Sequence, residues 1–319
     1  MKKTGAGKKR MNEFPKFVYI LLLLSVAVVW GYGFVAVDNS LESGIGSFGL
    51  LAFRFWTAAG VIFLFRAFLP KGEIKSKITK KEIWLGAVCG VVNFLGFFFQ
   101  TVGLRYTDPA RSGMLTATYV IVVPLACSVI YKKFSWISLL NAVVFFVGMV
   151  FLVDLKRVGG FGLGDSLTVL SSMFFAAQIV MVEFFCLRLN PVNFNGVQML
   201  FMGIFGTIGA LVFEWNTFIN IRWEKLIFPV LFLGVFNSAY AYIVQTVAQR
   251  KVSSALTAIL LSLESITSVL FSLALGKTQW SLPLAIGCVI MAAASASASL
   301  TDVKPQLPTL KTTEKEEEK

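Results

Sequence analysis

Long apolar runs, separated by short polar and basic tracts, occupy the chain from residue 17 to residue 300. Each run holds about 20 residues, the length at which an α-helix crosses the hydrocarbon core of a bilayer. Ten runs are predicted as helices, at residues 17–37, 46–69, 83–104, 109–131, 135–154, 165–186, 193–214, 226–248, 254–275 and 280–300. The pattern therefore predicts an all-α membrane protein with ten transmembrane helices.

The third and fourth runs recur as the eighth and ninth. Residues 100–121 align with residues 245–266 at a shift of 145 residues, and seven of the 22 positions are identical. The identities are Gln100/Gln245, Thr101/Thr246, Val102/Val247, Arg105/Arg250, Ala110/Ala255, Leu115/Leu260 and Ile121/Ile266. Such self-similarity indicates an internal duplication. We predict two five-helix repeats, at residues 17–154 and 155–300.

Lysine and arginine are unevenly distributed between the connections on the two sides of the predicted membrane. Most lie on the side that holds the N-terminal arm (1–16), the connection between the second and third runs, and the tail (301–319). Because cytoplasmic loops collect basic residues, both termini are predicted to be cytoplasmic, with the protein integral to the cell (inner or plasma) membrane. We expect arm and tail to be disordered. Five helices is an odd number, so the second repeat must be inverted, an architecture typical of transporters with a site near the midplane.

Composition narrows the choice of function. The chain is 56% hydrophobic and 14% charged, with no histidine and a net charge of +12. The charge follows the membrane pattern, so no nucleic-acid partner is expected. Without histidine there is no Ser-His-Asp triad or His-based metal site, and no GxxxxGK[ST] loop is present. The prediction is a protein that is not an enzyme and has no cofactor. Free thiols are predicted at Cys89, Cys127, Cys186 and Cys288.

Glu264 lies about ten residues into the ninth run, near mid-membrane. A charge at that depth costs roughly 2.5–3.5 kcal/mol on insertion scales, so it usually faces a cavity or a partner. Two interpretations stay open: a substrate or proton-coupling site, or a protonated Glu hydrogen-bonded between helices. Tyr119 occupies the equivalent position of the first repeat.

Other polar residues within the runs have similar alternatives. Arg54 could pair with an anionic substrate group or with another helix, or its stem could snorkel to the interface. Amides recur on one face of the third and eighth runs, with Asn93 and Gln100 in one and Asn237 and Gln245 in the other, beside Tyr240. They predict either a shared cavity lining or hydrogen bonds between helices.

Four motifs recur in the order and spacing of a known family: WGYGF at Trp30–Phe34, FRFW at Phe53–Trp56, QTVGLRYTDPARSGMLTATYVIVVPL and VSSALTAILLSLES. Together they resemble the EamA-domain transporters of the drug/metabolite transporter superfamily. The resemblance implies two inverted five-helix repeats, with the first four helices of each around a central cavity and the fifth peripheral. It places Trp30, Arg54, Tyr119 and Glu264 near that cavity. It also implies transport of small metabolites such as amino acids, often outward.

The chain departs from the family pattern at three places. Tyr32-Gly33 replaces the common Ser-Asn, Glu264-Ser265 replaces Glu-Pro, and Gly276-Lys277 replaces Gly-Glu. Without the proline, we expect a straighter ninth helix.

The resulting functional prediction is a secondary transporter, gradient-driven or facilitative, that exports amino acids, related compounds or drugs by alternating access around a central cavity. Aromatic residues near the candidates favour apolar or aromatic substrates; they are Trp30, Phe97, Tyr119 and Tyr240. The alternative is a non-transporting receptor, or an assembly subunit that uses the small-residue segment AAASASAS (292–299) as an interface. Predicted partners are a small-molecule substrate and membrane lipids, and a homodimer is compatible with the sequence.

Overall fold

The structure is a computed structural model that describes residues 14–69, 76–152, 161–276 and 279–302. Several sequence predictions fall outside the described residues: positions 1–13 of the arm, positions 303–319 of the tail, the repeat boundary at 154–155, and Lys277.

Ten apolar helical segments follow one another, and their bounds agree with the predicted runs to within a few residues. They are α1 (Lys16–Leu41), α2 (Ser47–Phe68), α3 (Lys80–Leu104), α4 (Pro109–Tyr131), α5 (Trp136–Leu152), α6 (Leu163–Phe185), α7 (Pro191–Phe213), α8 (Trp223–Ala248), α9 (Ser254–Ala274) and α10 (Leu282–Thr301). Within the described residues, nine are long and apolar enough to cross a membrane, and α5 is shorter. A short 3₁₀ helix, Trp215–Asn220, precedes α8.

Helix starts are set by side chains that cap the first free N–H groups. Asp108 accepts a hydrogen bond at the start of α4, and Asn190 does so at the start of α7, each followed by proline at the first position. Ser253 and Ser281 cap α9 and α10 in the same way. Proline has no N–H to satisfy at this position, so the pairing of cap and proline fixes the starts of α4 and α7.

The two repeats are inverted relative to each other. Helices α4 and α9 are equivalent, and the first part of α4 packs against the second part of α9, while its second part packs against the first part of α9. Equivalent helices therefore cross antiparallel. Other contacts come in matched pairs: α3 with α6 corresponds to α1 with α8, and α3 with α7 corresponds to α2 with α8. This pattern is that of two five-helix units related by a pseudo-two-fold axis in the membrane plane.

The fifth helices, α5 and α10, pack mainly against each other. Gly148 of α5 allows close approach, because a Cβ there would meet Ile290 and Met291 of α10 at 2.9 Å. Within the small-residue segment, Ala294, Ser295 and Ala298 are buried. That face of α10 is thus occupied by packing within the chain, as is usual for small residues on membrane helices.

The expectation of a straighter ninth helix is wrong. Helix α9 is interrupted at Leu263, between Ser254–Ser262 and Glu264–Ala274. The interruption needs no proline, because a hydroxyl group hydrogen-bonds to a backbone carbonyl group at the break: Ser265 Oγ donates to the Ser262 carbonyl at 2.6 Å. Hydroxyl side chains of this kind compete with the regular helical bonds and bend membrane helices.

Helix α4 is interrupted at the equivalent place, between Pro109–Thr116 and Tyr119–Tyr131. The two breaks face each other, and Ser262 Oγ lies 3.4 Å from the Ala117 carbonyl oxygen, to which it donates. The crossing point of the repeats is therefore made of two broken helices.

Gly206→Ala tests the packing of α2 on α7. A Cβ at Gly206 would lie 2.7 Å from the backbone nitrogen of Ala52, which cannot move aside. Overpacking of this kind costs about 1–3 kcal/mol, so we expect a lower midpoint of thermal unfolding for the purified protein. Gly60→Ala is the matched control, because no described atom lies within 4 Å of the added Cβ. Its midpoint should stay level or rise slightly, since alanine favours helix over glycine. Equal midpoints for both variants would contradict this packing.

Candidate functional site

A cavity of about 40 Å³ lies where the repeats meet. Its polar lining comprises Arg54, Gln100, Thr116, Gln178, Asn237 and Glu264. Its aromatic lining comprises Trp30, Phe34, Phe97, Tyr119, Phe175 and Tyr242. Within the described part of the chain, α5, α7 and α10 contribute no lining residue. For α5 and α10 this agrees with the peripheral fifth helix that the family resemblance implies, whereas α7 departs from the implied four lining helices per repeat.

Tyr119 and Glu264 meet at the crossing of the broken helices. The Tyr119 hydroxyl donates to Glu264 Oε1 at 3.0 Å, and the two residues are 145 positions apart. Each is the first residue after its helix break. Glu264 is only 3% exposed, and it begins the helical segment that follows the break. The symmetry axis thus carries a hydrogen bond between a residue and its own counterpart.

Arg54 is 1% exposed, so its side chain does not snorkel to the interface. The guanidinium donates from Nε to Ser238 Oγ at 2.8 Å and from Nη2 to Asn237 Oδ1 at 2.5 Å. The Cζ atom of Arg54 lies 4.1 Å from the centroid of the Phe97 ring. Arg54 therefore binds another helix, α8, through two neutral acceptors and stacks on an aromatic ring.

The charge of Arg54 has no acidic partner close by. Among the described residues, the ion pairs are Lys16–Asp302, Arg111–Asp165 and Lys225–Glu42, none of which involves Arg54. Glu264 lines the same cavity but makes no ion pair with Arg54 within 4 Å. The cavity holds a buried cation and a separate buried carboxyl group.

Aromatic rings frame the cavity symmetrically. Trp30 packs on Tyr242 with ring centroids 5.6 Å apart, and Phe175 packs on Phe97 at 5.0 Å. The shift of 145 residues relates Trp30 to Phe175 and Phe97 to Tyr242. Phe97 and Tyr242 also contact each other, at 6.2 Å. The aromatic frame thus follows the repeat symmetry, whereas Arg54 and Glu264 do not.

Five of the eight residues predicted for substrate binding line the cavity: Trp30, Arg54, Gln100, Tyr119 and Glu264. Gln100 joins α3 to α4 there, because its Nε2 donates to Thr116 Oγ1 at 3.0 Å. The structure brings these five together from five helices, α1 to α4 of the first repeat and α9 of the second.

The other three lie outside the lining and make hydrogen bonds between helices. Asn93 Oδ1 accepts from the Tyr242 hydroxyl at 3.1 Å. Gln245 Nε2 donates to Gln178 Oε1 at 3.1 Å. The Tyr240 hydroxyl lies 2.7 Å from Ser25 Oγ. Asn93 and Gln245 support cavity residues by holding Tyr242 and Gln178 in place.

Sequence reasoning missed Tyr242 because α8 contains a π-helical turn, Val235–Tyr240. A π-helix bonds residues five apart, so the register downstream rotates relative to an α-helix. Asn237 and Tyr242, five residues apart, both line the cavity, while Tyr240 turns toward Ser25. The signal that could have found Tyr242 was its alignment with Phe97 in the first repeat.

Comparisons with known proteins agree with the duplicated fold. The model of the EamA-like transporter family matches residues 17–154 and again residues 162–300. A protein of Archaeoglobus fulgidus described as an uncharacterized transporter is 31% identical over 257 residues, covering 79% of this chain and 76% of that protein. A protein of known crystal structure superposes with a TM-score of 0.74 at 17% identity, covering 89% of this chain and 98% of its own. That last likeness is one of fold.

Tyr119→Phe tests the hydrogen bond on the symmetry axis. Loss of the hydroxyl leaves the buried Glu264 carboxyl group without this donor, and we expect a destabilisation of about 1–3 kcal/mol, read as a lower midpoint of thermal unfolding. Tyr240→Phe is the matched control. It loses a bond to Ser25, whose hydroxyl keeps its 2.7 Å bond to the Leu22 carbonyl, so a loss of less than about 1 kcal/mol is expected. A larger effect in Tyr240→Phe would contradict the assigned role of Tyr119.

Proposed function

We propose, since the chain belongs to the EamA-like transporter family, that this membrane transporter carries small metabolites by a secondary mechanism. The observation that carries the proposal is the cavity at the crossing of two inverted repeats, lined by a buried arginine and a buried glutamate. Membrane proteins place such costly groups where substrates or ions are handled. Amino acids or related compounds are the substrates that we propose, with export as the direction.

The size of the cavity and the symmetry of the fold support alternating access. A ligand the size of benzene takes a cavity of roughly 150 Å³. The present cavity, at about 40 Å³, is smaller, so helices must separate before a metabolite can enter. Inverted repeats supply the means, because rocking one repeat against the other opens the site to one side and then to the other.

The proposed transport is facilitative or driven by a gradient. The sequence has no GxxxxGK[ST] phosphate-binding loop, so the chain carries no ATPase motif of that kind. Glu264 is the proton-coupling candidate, because its carboxyl group is buried in the cavity and hydrogen-bonded to a neutral phenol. Exchange of a proton there would couple substrate movement to a pH gradient.

The proposed setting is the cell membrane, with both termini on the cytoplasmic side, as the distribution of lysine and arginine favours. Lys16, at the start of α1, binds Asp302 after the end of α10 at 2.9 Å, so the two ends of the described chain lie on one side of the bundle. Membrane lipids surround the exposed apolar faces. The homodimer and the boundaries of the two repeats stay predictions.

Flux into proteoliposomes tests transport itself. The purified protein, reconstituted in liposomes, should accelerate uptake or counterflow of at least one amino acid or related compound over protein-free liposomes. Substrates with apolar or aromatic parts should be favoured, because rings frame the cavity. A broad metabolite screen without any flux, with and without a pH gradient, would contradict the proposal and favour a receptor or an assembly subunit.

Glu264→Gln tests proton coupling. The amide keeps the size of the side chain and can still accept from Tyr119, but it cannot exchange a proton. We expect loss of pH-driven accumulation, with exchange of bound substrate partly retained. Glu42→Gln is the control, because Glu42 pairs with Lys225 at 3.7 Å at an exposed position outside the cavity. An unchanged pH dependence in Glu264→Gln would assign Glu264 a structural role.

A further inference from the structure

We infer that the substrate carries a single carboxylate and an apolar body, and that the carboxylate binds the guanidinium of Arg54. The inference rests on the proposed function and names the chemistry of that same site. It follows from the charge, the free donors and the aromatic surroundings of Arg54.

Arg54 carries an uncompensated charge. Buried charges in proteins are generally paired, because desolvation is expensive, and this is most severe within a membrane. The hydrogen-bond acceptors of Arg54, Asn237 Oδ1 and Ser238 Oγ, are both neutral. Within the described chain, no carboxylate oxygen lies within 4 Å of the guanidinium. An anionic group of a ligand would neutralise the charge of the guanidinium.

Donor geometry favours a carboxylate. A guanidinium has five N–H donors in one plane, and the contacts to α8 use one on Nε and one on Nη2. Arg54 lines the cavity, and no described acceptor takes a hydrogen from Nη1. Carboxylates match the planar fork of arginine with two parallel hydrogen bonds, which makes this pairing both strong and directional.

The surroundings favour a ligand that is apolar beyond its carboxylate. Phe97 stacks on the guanidinium, and Trp30, Phe175 and Tyr242 continue the aromatic surface along the cavity. Offset and edge-on packing of rings suits an aromatic or branched aliphatic group. Among the described lining residues, Arg54 is the one basic side chain, so a second carboxylate would be desolvated without a cationic partner. Monocarboxylates should therefore bind better than dicarboxylates.

Matched ligand pairs on the unaltered protein give the first test. Purified full-length protein in chloride buffer is titrated with phenylacetate and phenylacetamide, and with hexanoate and hexanamide, following the midpoint of thermal unfolding. Each acid should bind at least about tenfold more tightly than its amide, the loss expected when a charge-assisted hydrogen bond is missing. Succinate should bind more weakly than hexanoate. Amides that bind as tightly as acids, or no stabilisation by any acid, would overturn the inference.

Arg54→Lys gives the second test, because lysine keeps the charge but not the planar fork. In this variant, the ratio of acid affinity to amide affinity should fall at least about tenfold. Arg66→Lys is the control: Arg66 lies in the same helix, donates to Asn193 Oδ1 at 2.8 Å and to the Ser76 carbonyl at 2.7 Å, and is outside the cavity lining. It should keep the preference. If Arg54→Lys does not fold, the ligand pairs on the unaltered protein decide alone.

The outcomes separate this inference from the transport proposal. Liposome flux of amines or amides, without acid binding, would overturn the carboxylate site and leave the transporter in place. Acid-specific stabilisation without flux of any compound would support the site and overturn the transport proposal.

Discussion

Backbone N–H and C=O groups inside a bilayer must be bonded within the protein, and that constraint decides where the helices of this chain can break. The breaks in α4 and α9 occur where the helices cross, away from lipid, and the Ser262 hydroxyl bonds the Ala117 carbonyl across the gap. The π-turn of α8 is also inward-facing, and Trp30 Nε1 donates to its Asn237 carbonyl at 2.9 Å. All three irregular stretches therefore lie at the cavity.

This placement brings the buried charge-bearing side chains to one level of the bundle. A break redirects the side chains beside it, so Tyr119 and Glu264 point at each other instead of along regular helix faces. Arg54, on the unbroken α2, reaches the same cavity and is held by the π-turn residues Asn237 and Ser238. Each charge-bearing group is kept in position by neutral partners, which leaves both available to a ligand or a proton.

Much of the fold could be predicted from the sequence, because membrane spans and inverted repeats leave strong signals in hydropathy, charge and self-alignment. The burial of Glu264 and its equivalence to Tyr119 were readable in the same way. The break in α9 was not, since serine hydroxyls replace the expected proline at a position that looks regular.

It was harder to predict which residues line the cavity than which residues lie near the middle of the membrane. Helical periodicity selected Tyr240 and Gln245, while the π-turn brings Tyr242 to the lining instead. A local change of register cannot be seen in an apolar sequence that would suit either helix type. For the same reason the amides of α3 and α8 could not be divided in advance between the lining and the layer behind it.

The hydrogen bond between Tyr119 and Glu264 also bears on how such a protein could arise. In a dimer of identical five-helix chains, a residue on the two-fold axis meets its own copy, so tyrosine would face tyrosine or glutamate would face glutamate. An unequal pair on the axis requires two halves that differ in sequence, and joining the halves in one chain keeps such a differing pair together. In this chain the acid therefore has a phenol as its neighbour instead of a second acid.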